Sequence, residues 1–175
     1  MKRFAARTLV LGVLSATTLL MGAQAVLAAS PHFTKGGAPR CTDIGTQLVC
    51  TGELAGLGNQ DLVIDVQSTA LVQVNCVNPG GNEAPGQNKV TRAVSGTQTI
   101  PGSAIKNGRA KFRVVTTAPT APSAEEAGCP NGNWTTRVVG VTFSNVTVTI
   151  SQGGQVLFTC TAASVPENGS VLLNC

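Results

Sequence analysis

The chain of 175 residues carries 12 lysines and arginines against 8 aspartates and glutamates, with six cysteines, one histidine, one tryptophan and no tyrosine. That is the length of one domain. A lone histidine, His32, leaves little scope for an imidazole-activated nucleophile. Three of the twelve cations, Lys2, Arg3 and Arg7, fall in the first seven residues; without them nine cations face eight anions, and the bulk-charge case for nucleic-acid binding disappears.

Residues 1–28 read as a signal peptide. The three cations precede an apolar run from Thr8 to about Met21, shorter than the roughly 20 residues a membrane-spanning helix needs. Small residues follow, A-Q-A at Ala23–Ala25 and V-L-A at Val26–Ala28, which suit signal peptidase. Cleavage is expected after Ala28 or Ala29, with Ala25 as the second choice. A retained anchor or a buried helix is the competing reading. The expected product is secreted and free of the membrane after cleavage. Residues 29–40, rich in Pro, Gly and charge without periodicity, read as a flexible lead-in to a domain over 41–175.

All six cysteines, Cys41, Cys50, Cys76, Cys129, Cys160 and Cys175, lie beyond the signal. An even count in that setting reads as a disulfide framework. Zinc would require close C-x-x-C or Cys/His spacings, which are missing, so no metal and no cofactor is expected. Cys41 and Cys50 bracket a possible hairpin around Gly45. From Leu62 to Cys76 the even positions Leu62, Ile64, Val66, Ala70, Val72 and Val74 form one apolar face. Period two over that length predicts a strand, of about 50 Å if unbroken. Unbroken parity favours one bent strand over two broken near Gln67–Thr69.

Residues 78–89 and 117–133, rich in Pro, Gly and Asn, read as long loops; 121–127 offers one helical turn at most. Asn107-Gly108 suits a tight turn. Arg109, Lys111 and Arg113 then alternate with Ala110, Phe112 and Val114, which puts three cations on one strand face. Over 134–150 the apolar parity switches from Val139, Val141 and Phe143 to Val146, Val148 and Ile150, so a β-bulge at Ser144–Asn145 is expected, with a break between strands as the alternative. A three-residue loop, Gln152-Gly153-Gly154, would then pair Ile150 with Val156, Val148 with Phe158 and Val146 with Cys160. Short strands, Gly/Pro turns and no helix predict an all-β antiparallel sandwich, with an immunoglobulin-like arrangement as one candidate topology.

Six cysteines allow fifteen pairings. Position suggests Cys41 with Cys50, Cys76 with Cys129 and Cys160 with Cys175. The rival set places Cys50 with Cys160 across the sheets and leaves Cys41 for Cys175.

Four segments occur in order: C-T-G-E-L-A-G-L-G-N-Q-D-L (50–62), C-V-N-P-G-G-N-E-A-P-G-Q-N (76–88), I-P-G-S-A-I-K-N-G-R-A-K-F (100–112) and C-P-N-G-N-W (129–134). In this succession the chain resembles a group of secreted bacterial proteins common in actinobacteria. The resemblance covers roughly residues 41–162 and implies a bacterial, extracellular setting. It implies no catalytic residue and no ligand.

Three groups of polar side chains bear on function. Carboxylate pairs for glycoside hydrolysis would have to come from Asp61, Asp65, Glu53 and Glu83, for which solvated surface charge is the plainer reading, and calcium from Asp43, Asp61 and Glu83 meeting in space, for which no D-x-D-x-D-G run is present. Arg109, Lys111 and Arg113, with Lys106 and Arg92 as possible extensions, offer a patch for an extracellular polyanion, which salt would weaken. The loop residues Asn78, Asn82, Asn131, Asn133 and Trp134 offer amides and an indole to a ligand, although Asn also serves turns. The expectation is a non-enzymatic extracellular binding or surface-matrix module whose partner is an extracellular polymer or a protein. The alternatives are an inhibitor or effector presenting a braced loop, and a small carboxylate-dependent hydrolase.

Overall fold

The computed structural model describes residues 30–175; the signal segment lies outside the described residues. Two five-stranded antiparallel sheets face one another. In the first, β3 (Leu48–Ala55) is central. β7 (Ala110–Val115) lies along one side of it, and β1 (His32–Phe33) and β2 (Arg40–Asp43) lie end to end along the other. β10 (Ser170–Leu172) follows β2. In the second, β4 (Leu62–Val77) is flanked on one side by β6 (Val90–Ile100) and β5 (Glu83–Pro85). On its other side run β8 (Thr135–Gln152) and then β9 (Gln155–Val165). The pairings β2–β3–β7 and β6–β4–β8–β9 match A–B–E and C′–C–F–G of an immunoglobulin sandwich. Among the described residues the only helix is one 3-10 turn, Gly102–Ala104, and no helix is long and apolar enough to cross a membrane.

β4 is a single strand of 16 residues, and every even position from Leu62 to Cys76 is buried. It outruns the first sheet, whose strands have eight residues or fewer. The core divides accordingly. Leu62, Ile64 and Val66 meet Leu54, Phe112, Val114, Phe143 and Val148 between the sheets. Val72 and Val74, farther along, are covered instead by Ala127, with Cys129 and Val138 beside them. The loop over 117–133 thus serves as a lid on the overhanging ribbon of β4 and β8.

The bulge expected at Ser144–Asn145 is present. Gln67 opposes Thr147 and Thr69 opposes Ser144, which leaves one residue extra on β8, and Asn145 takes φ +51°. Phe143 and Val146 therefore both face the core. A second shift follows, Gln73 with Gly140 and Val74 with Val138. It turns Val139 outward, 53% exposed, contrary to the expectation that it would share a face with Val141.

The β8–β9 hairpin also corrects the sequence reading. Gln152 opposes Gln155 across a two-residue turn, Gly153-Gly154, both with φ above zero, the conformation that suits the twist of a hairpin. An irregularity beyond Ser151 and Val156 then lets Ile150 pair with Phe158 and Val148 with Cys160. The extra residue is Leu157, so Val156 is released to solvent, 63% exposed. The lead-in is corrected as well. The Phe33 ring packs tilted against Phe158 with ring centroids 4.5 Å apart, Thr34 N–H donates to Glu53 O, and Gly37 O accepts from Glu53 N–H. Residues 32–43 make one interrupted strand along β3, and the sandwich begins at His32 instead of Cys41.

The disulfides are Cys41–Cys50, Cys76–Cys129 and Cys160–Cys175. Cys41 and Cys50 are direct cross-strand partners and fully buried. The rival set fails because Cys50 already faces Cys41 on the neighbouring strand of its own sheet.

Candidate functional site

Alternation decides which side chains the first sheet shows to solvent. Inward go Cys41, Cys50, Ala110, Phe112 and Val114; outward go Arg40, Thr51, Lys111 and Arg113. Thr51 pairs with Arg40 on one side and with Arg113 on the other, so these three form one row across three strands. With about 4.8 Å between strands, the two arginines stand about 10 Å apart. In the next row Lys111 pairs with Glu53, and its ammonium lies 3.7 Å from the carboxylate. Arg109, exposed just before β7, continues the alternation from the Lys106–Arg109 turn.

The three cations read from sequence therefore share one outer face, and the fold adds Arg40 to them. Lys35, Arg40 and Lys111 rim a shallow depression of about 320 Å³ with Thr34, Thr51 and Glu53. Gly37 in its lining has no side chain; a Cβ there would lie 2.5 Å from Glu53 O. Arg40 and Lys35 escaped the sequence reading because they lie in the segment taken as lead-in. The outward parity of Arg40 and Thr42 around Cys41 is the signal that would have found Arg40; no periodicity marks Lys35. Lys106 folds back onto Ser103 O at 2.7 Å. Arg92 does not extend the patch: it belongs to β6 in the other sheet and chelates Glu126 at 2.7 and 2.8 Å.

The amide-bearing loops are tied together by Cys76–Cys129 and by Asn88 Nδ2, which donates to Glu126 O at 3.1 Å, and two further asparagines serve the loops themselves. Asn78 Oδ1 accepts from Asn82 N–H at 2.9 Å, and Asn131 Oδ1 from Asn133 N–H at 3.0 Å. Trp134 N–H donates to Asn131 O and the residue is half-buried. Asn82 and Asn133 are exposed. Glu83 accepts from Asn75 and Arg137. Its carboxyl is held below the ordinary 4.5, first by the Asn75 hydrogen bond and then by the Arg137 charge. Glu126 is held low in the same way, first by Ser123 N–H and then by Arg92.

Three aspartates also accept hydrogen bonds. Asp61 accepts from Gly102 N–H at 2.8 Å, and Asp65 from the Thr97 hydroxyl at 2.6 Å. Asp43 is buried, and its two oxygens accept from Gly45 N–H and Asn168 N–H. It lines a depression of about 220 Å³ together with Glu167, an acid the sequence reading overlooked. Because both Asp43 oxygens hold backbone turns, this carboxylate organises the 43–47 and 166–169 turns. Among the described residues no three of His, Cys, Asp and Glu gather as metal ligands, and Asp43, Asp61 and Glu83 each serve a separate turn or strand.

No family model, curated protein or solved structure matches the chain.

Proposed function

We propose that this is a secreted, non-enzymatic binding module that holds an anionic extracellular polymer on the outer face of its first sheet. The carrying observation is the row Arg40–Thr51–Arg113, with Lys111 in the adjacent row and Lys35 and Arg109 at its ends. Glu53 is the one carboxylate lining the depression there. Cations at strand spacing on a rigid sheet suit repeated phosphate, sulfate or uronate groups, which arginine binds through its planar fork. Three disulfides support an oxidising destination, in keeping with the signal read over 1–28. The non-enzymatic part of the reading is supported by carboxylates that hold backbone amides, a hydroxyl or arginines.

The test is retention on an immobilised anionic polymer, with a polyphosphate and a polyuronate as probes. Retention is expected at low salt and should fall steeply as salt rises. Changing Arg40, Lys111 and Arg113 together to Ala should abolish it while leaving the thermal midpoint within a few degrees, because exposed substitutions cost about 0.5 kcal/mol or less each. Retention unchanged in the triple variant would overturn the reading.

A further inference from the structure

The bulge in β8 opens a depression of about 440 Å³ on the outer face of the second sheet. Alternation brings Gln67 and Thr69 to it from β4, Ser95 from β6 and Thr147 from β8, while the bulge presents Asn145. Ala93 and Val94 complete the wall, and Ser68 is turned inward, donating to Ser144 O at 2.9 Å. Among the described residues, the side chains of Gln67, Thr69, Ser95, Asn145 and Thr147 make no hydrogen bond within the protein. Elsewhere Gln47, Gln98 and Gln152 hold backbone groups. No ionisable side chain lines the depression. Beyond it the face continues as hydroxyls, with Thr147 opposite Thr161 and Thr149 opposite Thr159.

We infer that this depression binds a neutral, polyhydroxylated chain, a hexose-based polysaccharide. Two carboxamides and three hydroxyls converge on it, and both group types donate and accept, as vicinal sugar hydroxyls require. No cation is available for a polyanion, and no large apolar side chain for a peptide anchor. The volume falls in the range of small-ligand sites. A β-bulge is a recurrent device for re-aiming a side chain next to a site. Asn145 is among the few residue types that tolerate the left-handed backbone while carrying a polar group. This site is independent of the cationic face and opposite to it, so the two would let one molecule bridge a neutral and an anionic polymer.

The oxidised protein would be titrated with neutral maltohexaose, cellohexaose, laminarihexaose and mannohexaose while its amide NMR signals are followed. At least one should give saturable shifts confined to 67–69, 93–95 and 145–147. Asn145→Gly preserves the backbone preference and removes the amide, so it should weaken binding severalfold. Combined with Gln67→Ala the loss should reach tenfold or more, with the thermal midpoint retained. Arg40→Ala with Arg113→Ala should leave the sugar shifts unchanged, which separates this site from the polyanion face. The inference is overturned if none of the four shifts these residues, if the double variant binds as well as the parent, or if a sulfated hexaose binds there better than its neutral form.

Discussion

Gly52 is the inward position of β3 that has no side chain, and the Phe112 ring occupies the space. A Cβ on Gly52 would come within 2.5 Å of Phe112 Cζ, and the two residues are direct cross-strand partners. Phe112 is 3% exposed and belongs to the main core. Phe112→Ala should therefore cost about 3–5 kcal/mol, as large-to-small aromatic changes in cores do. Gly52→Ala should cost about 1–3 kcal/mol by overpacking. The double variant should cost less than the sum, because the smaller ring-side residue leaves room for the added methyl. Urea unfolding at a constant m-value measures all three. The alternation of Arg109, Lys111 and Arg113 made Phe112 legible as core. Gly52 was not legible in the same way: an isolated strand glycine signals only a bulge or a close approach, and its partner is 60 residues distant.

At the scale of elements, the long ribbon was readable because one period-two signal ran unbroken from Leu62 to Cys76. The bulge at Asn145 was readable because it flips parity. The second shift was not, since Val138 and Val139 are chemically alike and only one can face inward. The hairpin register failed for a related reason. Leu157 and Phe158 both touch the core, so pattern matching could not place the extra residue on β9. The lid over the ribbon shows a reciprocal cap: Glu126 N–H donates to Ser123 Oγ, and Ser123 N–H to the Glu126 carboxylate, as in a capping box. That carboxylate also receives Arg92, while Glu83 ties β4 to β8 through Asn75 and Arg137. Both glutamates have folded values below 4.5. Their contribution is complete above the unfolded value and is lost as pH falls through the folded one. The urea midpoint of the parent should thus hold down to about pH 5 and then decline. Glu83→Gln with Glu126→Gln should start lower at neutral pH and converge with the parent in acid. The protection of the Asn88 and Cys129 amides, which bond Ala127 O and Ala124 O, measured against their intrinsic exchange rates, should fall in the same window. Parallel curves for parent and variant would remove the assignment.

At the scale of the whole molecule, the sandwich is fastened along both open sides. On one side β6 meets β7: Thr117 N–H donates to Ser95 O, Arg113 N–H to Gln98 Oε1, and Gly96 lies so close to Val115 that a Cβ would fall 2.3 Å from its carbonyl oxygen. On the other side the C-terminal tail crosses from β10 to β9, where Thr161 and Asn174 exchange two backbone bonds beside Cys160–Cys175. Each disulfide thus has a distinct duty, and loop length ranks them. The separations are 53, 15 and 9 residues for Cys76–Cys129, Cys160–Cys175 and Cys41–Cys50. Loop-closure entropy then gives about 4, 3 and 2.5 kcal/mol in that order. Paired Cys→Ala variants should follow the same ranking in urea. Their local signatures should differ more sharply than their totals. Losing Cys76–Cys129 should speed exchange in 117–133 and leave β2 and β10 protected, whereas losing Cys160–Cys175 should release the tail and expose the edge of β9 while the lid stays closed. Uniform loss of protection in both variants would mean that the two ends unfold as one unit, and that the division of the core between sheets and lid carries no energetic independence.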